Sequence, residues 1–134
     1  MFKKLFILAV VLVGGVIAWI PWWSSKLAEK ALDNPRARNA PKILEKAIKI
    51  KNTIYLFSQA GELAEQGVIL FPEAPNYDYF LNTAAFCAKK NSKPEVAIFW
   101  YKMFLETFPK HMWADQARRS LRQLEELYGD DKRK

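Results

Sequence analysis

The stretch Ala60-Gly-Glu-Leu-Ala-Glu-Gln-Gly-Val-Ile-Leu-Phe-Pro72 has a counterpart in Ala97-Ile-Phe-Trp-Tyr-Lys-Met-Phe-Leu-Glu-Thr-Phe-Pro109. Each closes on a Phe-Pro pair, and the two prolines stand 37 residues apart. Aligned on them, Ala60 meets Ala97, Ala64 meets Tyr101, Gly67 meets Phe104 and Leu70 meets Thr107. A fixed period of this length signals stacked helical hairpins, because one hairpin cannot bury its own apolar face and needs a neighbour.

The rest of the chain agrees with an all-α reading. Its 134 residues allow one domain at most, and 51% hydrophobic with 14% aromatic residues is enough for a core. Only 5 glycines are present. No Asn-Gly or Asp-Gly pair offers a tight strand turn. The single cysteine, Cys87, lies among Ala84, Ala85 and Ala88 and reads as a small core residue. The single histidine, His111, has no second His or Cys near it, so neither a metal nor any cofactor is expected. Asp78 and Asp115 sit early in their helices, where carboxylates favour the helix dipole. No nucleophile–base set or phosphate-cradling glycine loop is recognisable, so the chain is read as a non-enzyme.

Leu5 to Trp23 carry no charged side chain. At about 1.5 Å per residue this segment reaches ~28 Å, close to the hydrocarbon thickness of a bilayer. Lys3 and Lys4 precede it, Trp19, Trp22 and Trp23 gather at its far end, and Lys26 and Lys30 follow. These seven are the expected membrane-interface residues. A cleaved signal peptide would need small residues before the cut, and bulky Trp19, Ile20 and Trp22 stand there instead. No cysteine lies nearby to take a lipid.

The expected organisation is a transmembrane anchor over 1–23, a basic juxtamembrane linker over 24–40, a helical domain over 41–128 and a polar tail over 129–134 that frays. Lys26 to Lys51 hold eight basic residues against Glu29, Asp33 and Glu45. Attraction to anionic headgroups is the natural use of such a cluster beside an anchor, with a merely solvated face as the bland alternative. Nothing interleaves aromatic and basic groups as a nucleic-acid surface would.

Asp33-Asn34-Pro35 stops any helix leaving the anchor. Asn39 and Pro41 mark a helix start, a second helix is expected from about Thr53 to Leu70, a third from about Asn76 to Lys90, and a fourth from Pro94. Ala114, Ala117, Leu121, Leu124 and Tyr128 give a fifth, closing helix with Arg118, Arg119, Arg122 and Glu126 on its wet side.

These residues resemble the tetratricopeptide repeat family. Leu81, Ala84, Ala85 and Ala88 match the large–small pattern of its first helix, Ala97, Tyr101 and Phe104 the second, and Pro109 the terminal proline; Leu44, Ala47, Ala60, Ala64, Gly67 and Pro72 repeat the match. Ile48 departs from it. The stretch from Tyr101 to Pro109, followed by Trp113-Ala114 and Ala117, is similar to repeats of bacterial cell-envelope proteins, such as outer-membrane assembly lipoproteins and Tol-Pal coordinators. The fold implied is a short α-solenoid of two hairpins plus a capping helix.

The resemblance implies that a partner protein lies along the first helices of the hairpins. On this sequence that face is Lys42, Glu45, Lys49, Tyr79, Asn82, Phe86 and Lys90. The bland alternative packs Tyr79 and Phe86 against the fifth helix or the membrane-proximal segment. The function implied is an adaptor or assembly scaffold in an envelope complex; the rival is an accessory subunit of a larger membrane complex. Two units are few for a self-sufficient stack, and Phe99, Trp100 and Trp113 add aromatic surface that a partner would cover. Basic residues after the anchor outnumber those before it, which argues for a cytoplasmic domain. The envelope resemblance argues for an extracytoplasmic one and is preferred.

Overall fold

A computed structural model describes residues 2–133, with side chains described except at 16–18 and 129–133. Six helices follow one another: α1 (Phe2–Asp33), α2 (Ala40–Thr53), α3 (Phe57–Leu70), α4 (Tyr77–Lys90), α5 (Pro94–Thr107) and α6 (Ala114–Arg133). No strand occurs among the described residues. Each helix packs on the next in sequence.

The backbone repeats with a period of 37 residues, and it does so three times at one type of turn. After α1, α3 and α5 the chain passes through Asn34-Pro35, Phe71-Pro72 and Phe108-Pro109. Proline removes a donor and disfavours helical geometry in the residue before it, and each of these helices ends there. The same bond then closes each turn, from the amides of Ala37, Ala74 and His111 to the carbonyls of Asn34, Phe71 and Phe108 at 3.1, 3.2 and 3.2 Å. The other turn type occurs twice. Leu56 and Lys93 donate their amides to Lys51 and Ala88 at 2.8 and 2.9 Å. Tyr55 and Ser92, again 37 apart, hold the left-handed conformation at φ 63° and 58°.

Two expectations change on this evidence. The second hairpin helix begins at Phe57, not near Thr53, because Tyr55 turns left-handed and breaks the run. Residues 24–33, read as the first part of a linker, are a continuation of α1, which passes through Pro21 without ending. Ala28 and Ala31 are buried and Leu27 packs beside them, giving this segment an apolar stripe against α2. Only residues 34–39 connect α1 to α2. The tail is helical through Arg133, and Lys134 lies outside the described residues.

The core runs through all the hairpins. Leu44, Ile48, Phe80, Leu81 and Phe104 are its large, wholly buried side chains. Each stabilises by about 1.5–3 kcal/mol relative to an exposed side chain. Small residues set how closely helices approach. Gly67 of α3 lies under the Phe80 ring, so that a Cβ there would stand 2.7 Å from two of its atoms. Thirty-seven residues on, the sizes are exchanged: Phe104 replaces Gly67 and Ala117 replaces Phe80, both buried.

α2 and α4 run parallel and in register. Asn76 donates its Nδ2 to the carbonyl of Pro41 at 3.0 Å where the two helices begin. Where they end, the Cys87 thiol meets Asn52 Oδ1 at 3.3 Å. α3 and α5 are joined likewise, Trp100 donating its indole N–H to Glu65 at 3.3 Å.

Candidate functional site

Six of the seven residues of the face expected to hold a partner form three rows spaced by the repeat, with Lys90 standing apart from them. Lys42 of α2 corresponds to Tyr79 of α4, Glu45 to Asn82, and Lys49 to Phe86. Adding 37 once more continues the rows onto α6 as Gln116, Arg119 and Gln123, all exposed. Those three escaped sequence reasoning, although the period that would find them was in hand.

Within the face, Lys49 joins the two helices. Its ammonium lies 3.7 Å from Glu45 and 5.4 Å from the centre of the Tyr79 ring, a cation–π arrangement across α2 and α4. Tyr79 is half-buried, and burial pushes its phenol up to about 12 while Thr83 and Asn52 hydrogen-bond to it. It therefore stays neutral, with its hydroxyl committed to those two partners. Phe86 packs edge-on against Phe57 of α3, with centroids 5.8 Å apart, and Lys90 lies 5.5 Å above it. Tyr79 is thus tied to α2 and to Thr83 of its own helix, and Phe86 to α3.

Two clefts open beside Lys42 and Glu45. One, about 680 Å³, is lined also by Arg38, Asn39, Pro41, Pro75 and Asn76 and lies between the proline turns before α2 and α4. The other, about 570 Å³, lies between α1 and α2 and includes Leu27, Lys30, Ile43 and Lys46. Asn76 Oδ1, buried at the first cleft, has no hydrogen-bond partner among the described residues. The mixed ammonium, carboxylate and amide lining suits hydrogen bonding to an extended backbone.

Lys51 was not foreseen. It is only 2% exposed, and its ammonium bonds Ser25 Oγ of α1 at 3.0 Å and Gln59 Oε1 of α3 at 2.7 Å. Burial lowers its pKa. One side chain thus ties three helices together. His111 is a second tie. Its Nδ1 accepts the Trp113 amide at 3.1 Å, which leaves Nε2–H to donate to Asp78 at 2.7 Å. The imidazole meets both partners and clips the last proline turn to α4. Asp115, the repeat counterpart of Asp78, bonds Arg118 at 2.7 Å instead.

Of the expected interface residues, Trp19 and Trp23 stack, with ring centroids 5.7 Å apart and 7° between planes. Trp22 is exposed too, and Lys26 pairs with Glu29 at 3.2 Å. Lys3, Lys4 and Lys30 are exposed on α1. α1 is long and apolar enough to cross a membrane, and its apolar window is not buried against the rest of the chain. Phe99 is 56% exposed beside the half-buried Trp100.

No protein-family model, characterised protein or solved structure matches this chain.

Proposed function

We propose that the protein is a single-pass membrane adaptor of the tetratricopeptide-repeat type, holding an extended segment of a partner protein along α2, α4 and α6. The observation that supports this best is the 37-residue register. It sets like positions of successive helices side by side, as a repeat surface for a linear ligand requires. Lys42, Glu45, Asn82 and Arg119 supply polar contacts, and Tyr79 and Phe86 supply rigid aromatic ones. Residues 5–23 are the anchor, and the hairpins lie outside the cytoplasm as part of an envelope assembly. No catalytic step is assigned to the chain, and no nucleic acid is expected as partner.

A second reading, an accessory subunit of a larger membrane complex, draws on the opposite side of the hairpins. Ile69 is 73% exposed on α3 and Phe99 56% on α5, apolar surface of the kind that permanent contacts cover. Photo-crosslinking residues placed at 79, 82 and 119, and separately at 69 and 99, separate the two in native membranes. The adaptor predicts adducts from the first set that a mild-detergent extract releases. Adducts from 69 and 99 alone, with comigration at fixed stoichiometry in a large complex, select the subunit. Absence of adducts from the first set overturns the adaptor.

A further inference from the structure

α1 leaves the apolar segment at Trp23 and continues as helix for ten residues to Asp33, about 15 Å at the usual rise. The Asn34-Pro35 turn is therefore the far end of the stack from the apolar segment. α2 then runs back beside α1 for 14 residues, about 21 Å. Its last turn regains the level of Ser25, two residues past Trp23, where Lys51 bonds Ser25 Oγ at 3.0 Å. α4 is parallel to α2 and level with it, since Cys87 near its end meets Asn52 near the end of α2. The turns after α2 and α4 consequently sit at the same height as the end of the apolar span.

The composition of that end is distinctive. Tyr55 is 79% exposed, thrust outward by its left-handed backbone. Its ring meets Phe57 edge-on at 5.8 Å, and Phe57 meets Phe86. Lys89, Lys90 and Lys93 stand exposed around the second turn, with Glu95 the one carboxylate within residues 86–96. By contrast, Arg36 and Arg38 belong to the far turn, remote from any bilayer that holds α1.

We propose that the end of the stack formed by Tyr55, Lys89, Lys90 and Lys93 is a second membrane-contact surface, lying on the anionic headgroups of the bilayer that α1 enters. This rests on the reading of α1 as an anchor. An aromatic ring at headgroup level and ammonium groups facing lipid phosphate are the chemistry such a surface requires. The contact is electrostatic in its lysine part, so it weakens within a Debye length and with salt. With α1 in the bilayer and this end on the surface, the α2/α4 face is held at a set angle to the membrane.

The test uses the full chain in lipid vesicles, with a fluorophore at Ser92→Cys or, as the far-end control, at Glu73→Cys; buried Cys87 does not compete for the label. Quenching by headgroup spin-labelled lipid reports depth. With phosphatidylglycerol present, position 92 is expected to be quenched strongly and position 73 weakly. Lys89→Glu, Lys90→Glu and Lys93→Glu together shift the docked population by at least roughly a hundredfold, from about 1 kcal/mol per lysine near the surface. In phosphatidylcholine alone, or at high salt, the wild type loses most of its quenching. Protein retained through alkaline carbonate, with position 92 quenched no more than 73, overturns the surface and leaves the anchor standing. Release by carbonate overturns the anchor and the surface together.

Discussion

Gly67→Ala places a methyl group where the structure leaves no room. The new Cβ would stand 2.7 Å from Phe80 Cγ and Cδ1 and 2.9 Å from Cε1. Phe80 is 0% exposed, and the clashing atoms include the root of the ring, so it cannot swing aside. Overpacking costs about 1–3 kcal/mol in general, and a contact under 3.0 Å at the root of a wholly buried ring belongs to the upper part of that range, about 2–3 kcal/mol. Alanine offsets it by about 1 kcal/mol through its better helix propensity. A net loss of about 1–2 kcal/mol follows, lowering Tm by ~4–8 °C at about 4 °C per kcal/mol for a unit of this size. Circular dichroism of the full chain in detergent micelles measures it. The decisive comparison is with Phe80→Leu, alone and combined. Shortening the ring makes room for the methyl, so the double variant is less destabilised than the two single losses added. A Gly67→Ala protein that melts at or above the wild-type temperature would refute the close α3–α4 approach, because helix propensity alone would then decide the outcome.

Three further outcomes follow from other sites. Ser92→Gly removes a left-handed strain that costs an L-residue about 1–2 kcal/mol, offset by about 0.4–1 kcal/mol of added unfolded-state freedom, so the variant melts up to several degrees higher, and a lower melt refutes the turn geometry. Lys51→Met keeps the buried stem and loses two hydrogen bonds, costing about 1 kcal/mol, whereas Lys51→Ala also leaves a void and costs about 2–3 kcal/mol; equal losses in denaturant titrations would mean that the stem contributes nothing. Burial pushes the Cys87 thiol from its ordinary 9.0 up to about 12. The folded state binds the thiol proton more tightly, so the stability this confers is complete below pH 9 and lost as pH rises toward 12. Stability of wild type relative to Cys87→Ala should therefore be flat to about pH 9 and decline above it, as alkaline melts will show; a flat difference to pH 12 contradicts the burial.

The all-helical class and the ends of most elements were readable from Pro72, Pro109 and the apolar spacing, because proline acts on its own neighbours and its effect needs no tertiary context. The first copy of the proline turn was harder to see. Asn34 stands where Phe71 and Phe108 stand, so Pro35 reads as a helix stop, which it is, but not as a member of the repeat, although it too is 37 residues before Pro72. Residues 24–33 looked like a linker by charge. Their helix depends on a stripe, Leu27, Ala28 and Ala31, whose use is plain only once α2 lies against it. Tyr55 could not be foreseen in a left-handed turn, since glycine or asparagine normally marks such positions. The rows of the candidate face were legible on α2 and α4, whereas the burial of Lys51 was not: its partners, Ser25 and Gln59, lie on two other helices.

The exchange of sizes between Gly67 with Phe80 and Phe104 with Ala117 bears on how such a chain can grow. A tandem copy of residues 77–113, one full period, inserted after the turn that follows α5 would bring a second Phe80 over Phe104, two rings where there is space for one. Duplication, the simplest route by which repeat arrays lengthen, is thus sterically blocked at that junction. A descendant lengthened there must first shrink one of the rings, so the order of hairpins at that junction is dictated by bulk instead of by their shared backbone.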